Sequence, residues 1–301
     1  ASARQRAMLG EFIPVDQIEI CPFPVDSKEF FPDQKIREKF RKAKNWAADE
    51  TIFLFTGRLS RQKRIHQLIE VFAQWRKKTN AKARMVFVGD ADKHGEPFLL
   101  QGEYEGEYFH FLLNVLDSIP VTERSFIEFH GFRPNIELND YYNGADTFVN
   151  ISVHNDEDYG MSCAEALAAG LPMILTDWAG FSSFRRPGLE ESVRMVPVKI
   201  SRRGKLISLK SLYKAFALMH ESKDSFDRQH IAQHSLAYTG IAYGAKIVKD
   251  GLKRAHLFTG FLPTFHEAFR LETYQKYNTF SDLRTKTFND LYMKVYRHYV
   301  E

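Results

Sequence analysis

Cysteine is nearly missing from this sequence. Only Cys21 and Cys163 occur in 301 residues, too few and too far apart for a disulfide framework or a zinc-ligand pattern, so a reducing, cytoplasmic setting is expected. Long apolar runs are missing as well. None approaches the ~18 residues of a membrane-crossing helix, and the opening ASARQRAMLGEF lacks the apolar centre of a secretory signal. There is no marked excess of one charge. Lys and Arg number 42 against 38 Asp and Glu, a formal charge of +4, which excludes the footprint of a dedicated nucleic-acid binder but leaves room for a local phosphate site. Internal repeats, low-complexity tracts and an initiating Met are absent too, and the last suggests a processed form or a piece of a longer chain.

What is present is enough apolar residue, 44%, to bury a full core in one large domain or two small ones. From Thr51 onward, short runs rich in Val, Ile and Phe alternate with longer stretches of helical periodicity, the pattern of repeated βαβ units around a parallel sheet. The expected strands are TIFLFTG, ARMVFVGD, SFIEFHG, TFVNIS, PMILTD and VRMVPV. Their near-continuous hydrophobicity suits strands covered by helices on both faces. Between them, Ile65, Leu68, Ile69 and Phe72 share one helix face, and CAEALAAG reads as a small-residue helix stopped by Gly170. Right-handed crossovers put the ligand-binding loops at the carboxyl ends of the strands.

Residues 1–34, with Pro22, Pro24 and Pro32, read as an extended hinge, residues 35–256 as the Rossmann-like domain, and residues 257–301 as a helical carboxyl-terminal extension. The segment KIREKFRKAKNW reads as a solvated basic helix, with phosphate or lipid headgroups as the second reading. Past Pro197 the pattern points to helices alone. The stripe Phe288, Tyr292, Val295 and Tyr299 is expected to be core.

The most informative stretch is HNDEDYGMSCAEALAAGLPMILTD. It puts Glu157 in a loop, Gly160 at a tight turn and Glu165 on the helix that follows, with seven residues between the two glutamates. If that helix starts near Met161 or Ser162, its free N–H groups form an anion site fit for a diphosphate, with Ser162 as the cap. Glu165 then reaches a ribose diol and Glu157 meets sugar hydroxyls. Earlier, GRLSRQK follows the first strand with Gly57 to turn the backbone and Arg58, Arg61 and Lys63 to balance phosphate charge.

Together GRLSRQK and EDYGMSCAEA resemble the motifs of glycosyltransferase family four, of the GT-B architecture, over roughly residues 10–250. The resemblance implies the following roles. Arg58 and Lys63 bind the donor diphosphate, Glu157 contacts the donor sugar, and Glu165 holds the ribose hydroxyls. The backbone of Tyr159, Gly160, Met161 and Ser162 faces phosphate and sugar, and the base lies near Arg133, Pro134 and Asn135. It further implies a retaining transfer from a nucleoside diphosphate sugar to a saccharide, lipid-linked or other hydroxyl acceptor, without a cofactor or bound metal. Residues 1–34 would then be the remnant of a preceding acceptor domain, and the piece alone inactive in transfer. Peripheral contact with the inner face of a membrane is the second reading of its location. Two departures stand out: Tyr159 replaces the usual Phe, and the stretch from Ser152 to Glu157 is two residues longer than the common form. WAGFSSF carries none of the family's next motif, and nothing past about residue 257 matches.

Other readings weigh less. His154 with Asp156, Glu157 and Asp158 has no established metal-ligand spacing. His66 and His130 read as structural, and Cys163 as a packing residue rather than a nucleophile. The competing class is a noncatalytic nucleotide-sugar-binding or assembly module; a phosphorylase or epimerase on the same architecture lacks its signature residues.

Overall fold

The computed structural model describes residues 2–91, 107–154, 157–202, 204–235, 241–254, 259–268, 281–282, 287–288 and 290–301. The chain opens with helix α1 (Ala3–Leu9) and, after an irregular stretch, α2 (Gln34–Ala43), capped by the Asp33 carboxylate. Then come β1 (Thr51–Thr56), α3 (Ile65–Thr79), β2 (Ala83–Val88), α4 (Glu107–Ser118), α5 (Val121–Arg124), β3 (Ile127–Phe129), α6 (Asn135–Gly144), β4 (Thr147–Asn150), α7 (Met161–Ala168), β5 (Met173–Thr176) and β6 (Val193–Val196). The six strands form one parallel sheet in the order β3-β2-β1-β4-β5-β6. Order reverses between β1 and β4, the switch point at which open α/β sheets form a crevice beyond their strand ends.

Every residue of β1, β4 and β5 is buried, as expected of strands covered on both faces. Alternate side chains feed two cores. Phe53, Phe55, Met85, Phe87 and Ile174 enter one with Ile65, Leu68, Ile69 and Phe72 of α3. Ile52, Leu54, Val86, Phe148 and Leu175 enter the other with Cys163, Ala164 and Leu167 of α7. Full burial of one such large side chain stabilises by ~1.5–3 kcal/mol, so the alternating side chains of the strands hold helices against both faces of the sheet.

The basic helix α2 is not simply a solvated face. Arg37 and Arg41 turn inward to Asp146, at 2.5 and 3.1 Å, and donate to the carbonyls of Ala145 and Gly144 at the end of α6. A buried carboxylate needs such partners, while Lys35, Lys39 and Lys42 stay exposed.

The expectation of helices alone past Pro197 fails. Residues Val198–Ser201 (β7) and Gly204–Ile207 (β8) pair as an antiparallel hairpin, followed by α8 (Leu209–Glu221), capped by Ser208, and α9 (Arg228–Gln233). Ile207, read as helical, ends the hairpin instead. A second pair joins 281–282 to 287–288, so residues 257–301 are not purely helical. Tyr292, Val295 and Tyr299 are buried in the first core; the Phe288 side chain lies outside the described set. Arg4 of α1 ties this last segment to the sheet, donating to Asp177 Oδ1 at 2.5 Å and to the carbonyls of Tyr299 and Val300.

Candidate active site

Two loops flank the crevice at the switch point. The first leaves β1 through Gly57, whose φ of +136° suits glycine, then passes the exposed Arg58 to a short 3-10 turn, Arg61–Lys63. The second leaves β4 and carries Glu157 into α7. The two meet: Lys63 Nζ lies 2.5 Å from Glu157 Oε2, with the side chains 18% and 9% exposed. The sequence places these residues 94 apart; the parallel pairing of β1 with β4 brings them together.

Helix α7 begins at Met161, with Gly160 as its N-cap at φ +86°. A Cβ there would stand 2.5 Å from the Phe181 ring, so the turn needs glycine for conformation and for space. Ser162 is not the cap, contrary to expectation: it sits inside the helix, and no side chain caps this end. Tyr159 is buried, its ring stacked on Phe184 at 5.4 Å. Met161 is exposed and Cys163 fully buried. Burial, reinforced by the Glu157 charge, pushes the Cys163 thiol well up, which suits packing rather than nucleophilic attack.

Glu165 projects from the next turn of α7. Its Oε2 accepts from the Tyr142 hydroxyl at 2.8 Å, and that hydroxyl lies 2.8 Å from Thr56 Oγ1 at the end of β1. Burial raises the Glu165 carboxyl above its ordinary value; the Tyr142 hydrogen bond opposes the rise and the Glu29 charge adds to it. Glu29 also accepts from Asn135 Nδ2 at 3.1 Å. The Arg133-Pro134-Asn135 turn thus lies on the Glu165 side, with Arg133 Nε donating to Tyr141 Oη at 3.2 Å and Pro134 as the N-cap of α6. Tyr142 and Glu29 escaped the sequence reading because only the fold brings them to Glu165.

The remaining candidates are held elsewhere. Arg61 lies over the rings of Tyr108 and Phe111, each 5.3 Å away. His66 Nδ1 meets the Tyr108 hydroxyl at 3.0 Å, and burial with Arg64 and Arg61 lowers its pKa to about 4. His130 is fixed between Glu128 and Tyr141. Among the described residues no group of three or more His, Cys, Asp or Glu could hold a metal; Asp156 lies outside them. Nor does any described helix have the length and apolarity to cross a membrane.

Residues 36–189, about half of the chain, match the model of the family described as glycosyl transferases group 1. The chain is 27% identical over 176 residues to the alpha-monoglucosyldiacylglycerol synthase of Acholeplasma laidlawii, covering 57% of this chain and 39% of that protein. It is 27% identical over 188 residues to the lipopolysaccharide 1,2-N-acetylglucosaminetransferase of Salmonella typhimurium, covering 61% and 45%. These matches therefore span less than half the length of either relative. Among solved structures, sucrose-phosphate synthase from Thermosynechococcus elongatus superposes with a TM-score of 0.64 at 21% identity, covering 85% of this chain and 57% of that one. Anabaena HepE in complex with UDP-glucose does so with a TM-score of 0.58 at 17% identity, covering 76% and 56%. At such identities the structural likeness bears on the fold.

Proposed function

The chain belongs to the glycosyl transferases group 1 family, and on that premise we propose that it is the donor-binding half of a retaining, nucleotide-sugar-dependent transferase. The observation that carries the reading is the Lys63–Glu157 pair bridging the β1 and β4 loops beside the amino terminus of α7. A cation and the N–H groups of a helix start suit the diphosphate, the Glu157 carboxylate the sugar, and Glu165 one turn on the ribose, so one crevice meets the three parts of a nucleoside diphosphate sugar.

In this reading Arg58 and Lys63 receive the diphosphate with the N–H groups of Met161 and Ser162, and Glu165 accepts from the ribose hydroxyls. Tyr142 orients the Glu165 carboxylate through its hydrogen bond. The base lies against the Arg133-Pro134-Asn135 turn and the sugar against Glu157. During transfer the bond from the anomeric carbon to the diphosphate breaks and a bond to the acceptor oxygen forms on the same face. The acceptor proton passes to the departing phosphate. The protein's part is a preorganised positive cradle for the charge that develops there, a contribution of several kcal/mol when donors are fixed in advance. No protein nucleophile and no metal enters this scheme. The acceptor, a hydroxyl compound of saccharide or lipid-linked type, belongs to a further domain.

UDP-glucose bound in HepE makes it the probe for a saturation-transfer NMR test. Magnetisation is expected on both the ribose and the glucose protons, with Glu165→Ala reducing the former and Glu157→Ala the latter. A folded chain that transfers to neither ring, with UDP-, GDP- and ADP-glucose alike, would contradict the proposal.

A further inference from the structure

Three successive carbonyls lead from β4 toward Glu157, and each accepts a hydrogen bond from a side chain of another element. Thr176 Oγ1, at the end of β5, donates to Ser152 O at 2.6 Å. Lys205 Nζ, on β8, donates to Val153 O at 2.6 Å. Trp178 Nε1 donates to His154 O at 2.7 Å. Past these, the Gly180 N–H donates to Glu157 O at 2.9 Å. The loop that delivers the carboxylate is thus pinned on both sides of it, and shielded carbonyls hold such partners because leaving them unpaired is costly.

The pins are themselves braced. Trp178 is fully buried, its ring meets Tyr299 edge-on at 5.1 Å and 89°, and the Lys205 ammonium lies 5.2 Å from its centroid. Lys205 and Tyr299 both fall beyond residue 189, where the family match ends. One sits in the hairpin and the other in the carboxyl-terminal segment. The pinned carbonyls, those of Ser152 to His154, open the stretch before Glu157 that is two residues longer than the common form of the family.

We infer that Trp178 and Lys205, braced by Tyr299, are positioning residues that hold the Glu157 carboxylate at Lys63, so that segments outside the family core set how well the site selects the sugar of its donor. The inference rests on Glu157 being the sugar-contacting residue. A carboxylate on a loosened loop still has its charge but no fixed direction. Discrimination between a nucleotide and its sugar conjugate then falls while diphosphate binding, which depends on Arg58, Lys63 and α7, is kept.

Trp178→Phe retains the aromatic ring and removes the N–H; Lys205→Met retains the stem and removes the ammonium; Lys205→Arg restores a cationic donor. Amide hydrogen exchange without added nucleotide reads the pinning directly. Exchange at residues 157–160 is expected to accelerate about tenfold in the Phe and Met variants, the effect of losing one hydrogen bond, with β1 and β2 unchanged and the Arg variant close to the parent. Calorimetry then reads the consequence: the advantage of UDP-glucose over UDP falls about tenfold, on the same hydrogen-bond scale, and affinity for UDP does not fall. Unchanged exchange at 157–160 in both variants overturns the inference, as does an equal loss for UDP and UDP-glucose. A parent chain that binds neither nucleotide overturns the role given to Glu157, while the exchange result still decides whether Trp178 and Lys205 hold the loop.

Discussion

Glu157→Gln should tighten binding of a nucleoside diphosphate while leaving its sugar conjugate close to the parent affinity. The carboxylate holds Lys63 at 2.5 Å with the two side chains only 9% and 18% exposed. Fully solvated pairs contribute up to about 1 kcal/mol, and breaking a buried one costs ~3–5 kcal/mol. This largely shielded pair lies between, near ~2 kcal/mol on those scales. A diphosphate that recruits Lys63 must share the ammonium or displace the carboxylate, and works against part of that energy. With Gln in place the ammonium is uncommitted, so UDP should bind about tenfold tighter, which corresponds to ~1.4 kcal/mol. The sugar loses instead. Hydroxyls that donate to a carboxylate gain ~1.5–3 kcal/mol each, against ~0.5–1.5 for a neutral acceptor, so the advantage of UDP-glucose over UDP should shrink about tenfold on the same scale. The assay is isothermal titration of parent and variant with both ligands at one fixed ionic strength, because screening alters such pairs. Weaker UDP binding by the variant, or equal shifts for both ligands, would refute the reasoning.

The raised Glu165 carboxyl takes up its proton at higher pH than an ordinary glutamate. Nucleotide affinity should therefore begin to fall above pH 4.5 as acid is added, and Glu165→Gln should flatten that profile; an identical acid limb in the variant counts against Glu165 as the ribose acceptor. Asp146 is the opposite case. Burial would raise its pKa, but Arg37, Arg41 and the Ile52 N–H together hold it below the ordinary value of 3.8. Its stabilisation is present above that value and is lost as pH drops through the lower folded-state pKa. Asp146→Asn should cost ~3–5 kcal/mol, as removal of one partner of a buried pair does, read as a lower denaturant midpoint with unchanged slope. Gly180→Ala places a methyl 2.2 Å from Asp158 O; the overpacking should cost ~1–3 kcal/mol and weaken UDP-glucose more than UDP, and a variant with parental melting and binding would show that the loop yields freely.

The sheet was legible because its central strands β1, β4 and β5 are covered on both faces and read as near-continuous apolar runs, and each of its strands lies within a run expected from the sequence. The hairpin was not. VKIS and GKLI are four residues long, too short for alternation to outweigh the helical spacing that follows from Ile207. The carboxyl-terminal stripe betrayed its burial at Tyr292, Val295 and Tyr299 but not its partners, Arg4 and Trp178, which lie far off in sequence. In the candidate site, GRLSRQK and EDYGMSCAEA marked the two loops. What no motif could show is which groups orient them: Tyr142 on Glu165, and Trp178 and Lys205 on the loop before Glu157. These are tertiary hydrogen bonds made by residue types that serve equally well as ordinary core or surface. The Ser162 cap failed for a local reason, since Gly160 in the left-handed region caps α7 two residues earlier.

The donor site is tested most simply by calorimetric titration of the chain with UDP, GDP and ADP, repeated for Arg58→Ala and Glu165→Ala. Selective binding of one nucleoside diphosphate is expected, with a loss of about tenfold or more in each variant, the scale of a charge-assisted hydrogen bond, and unchanged melting. A folded chain that binds none of the three, or binds one equally well after both substitutions, would contradict the donor site.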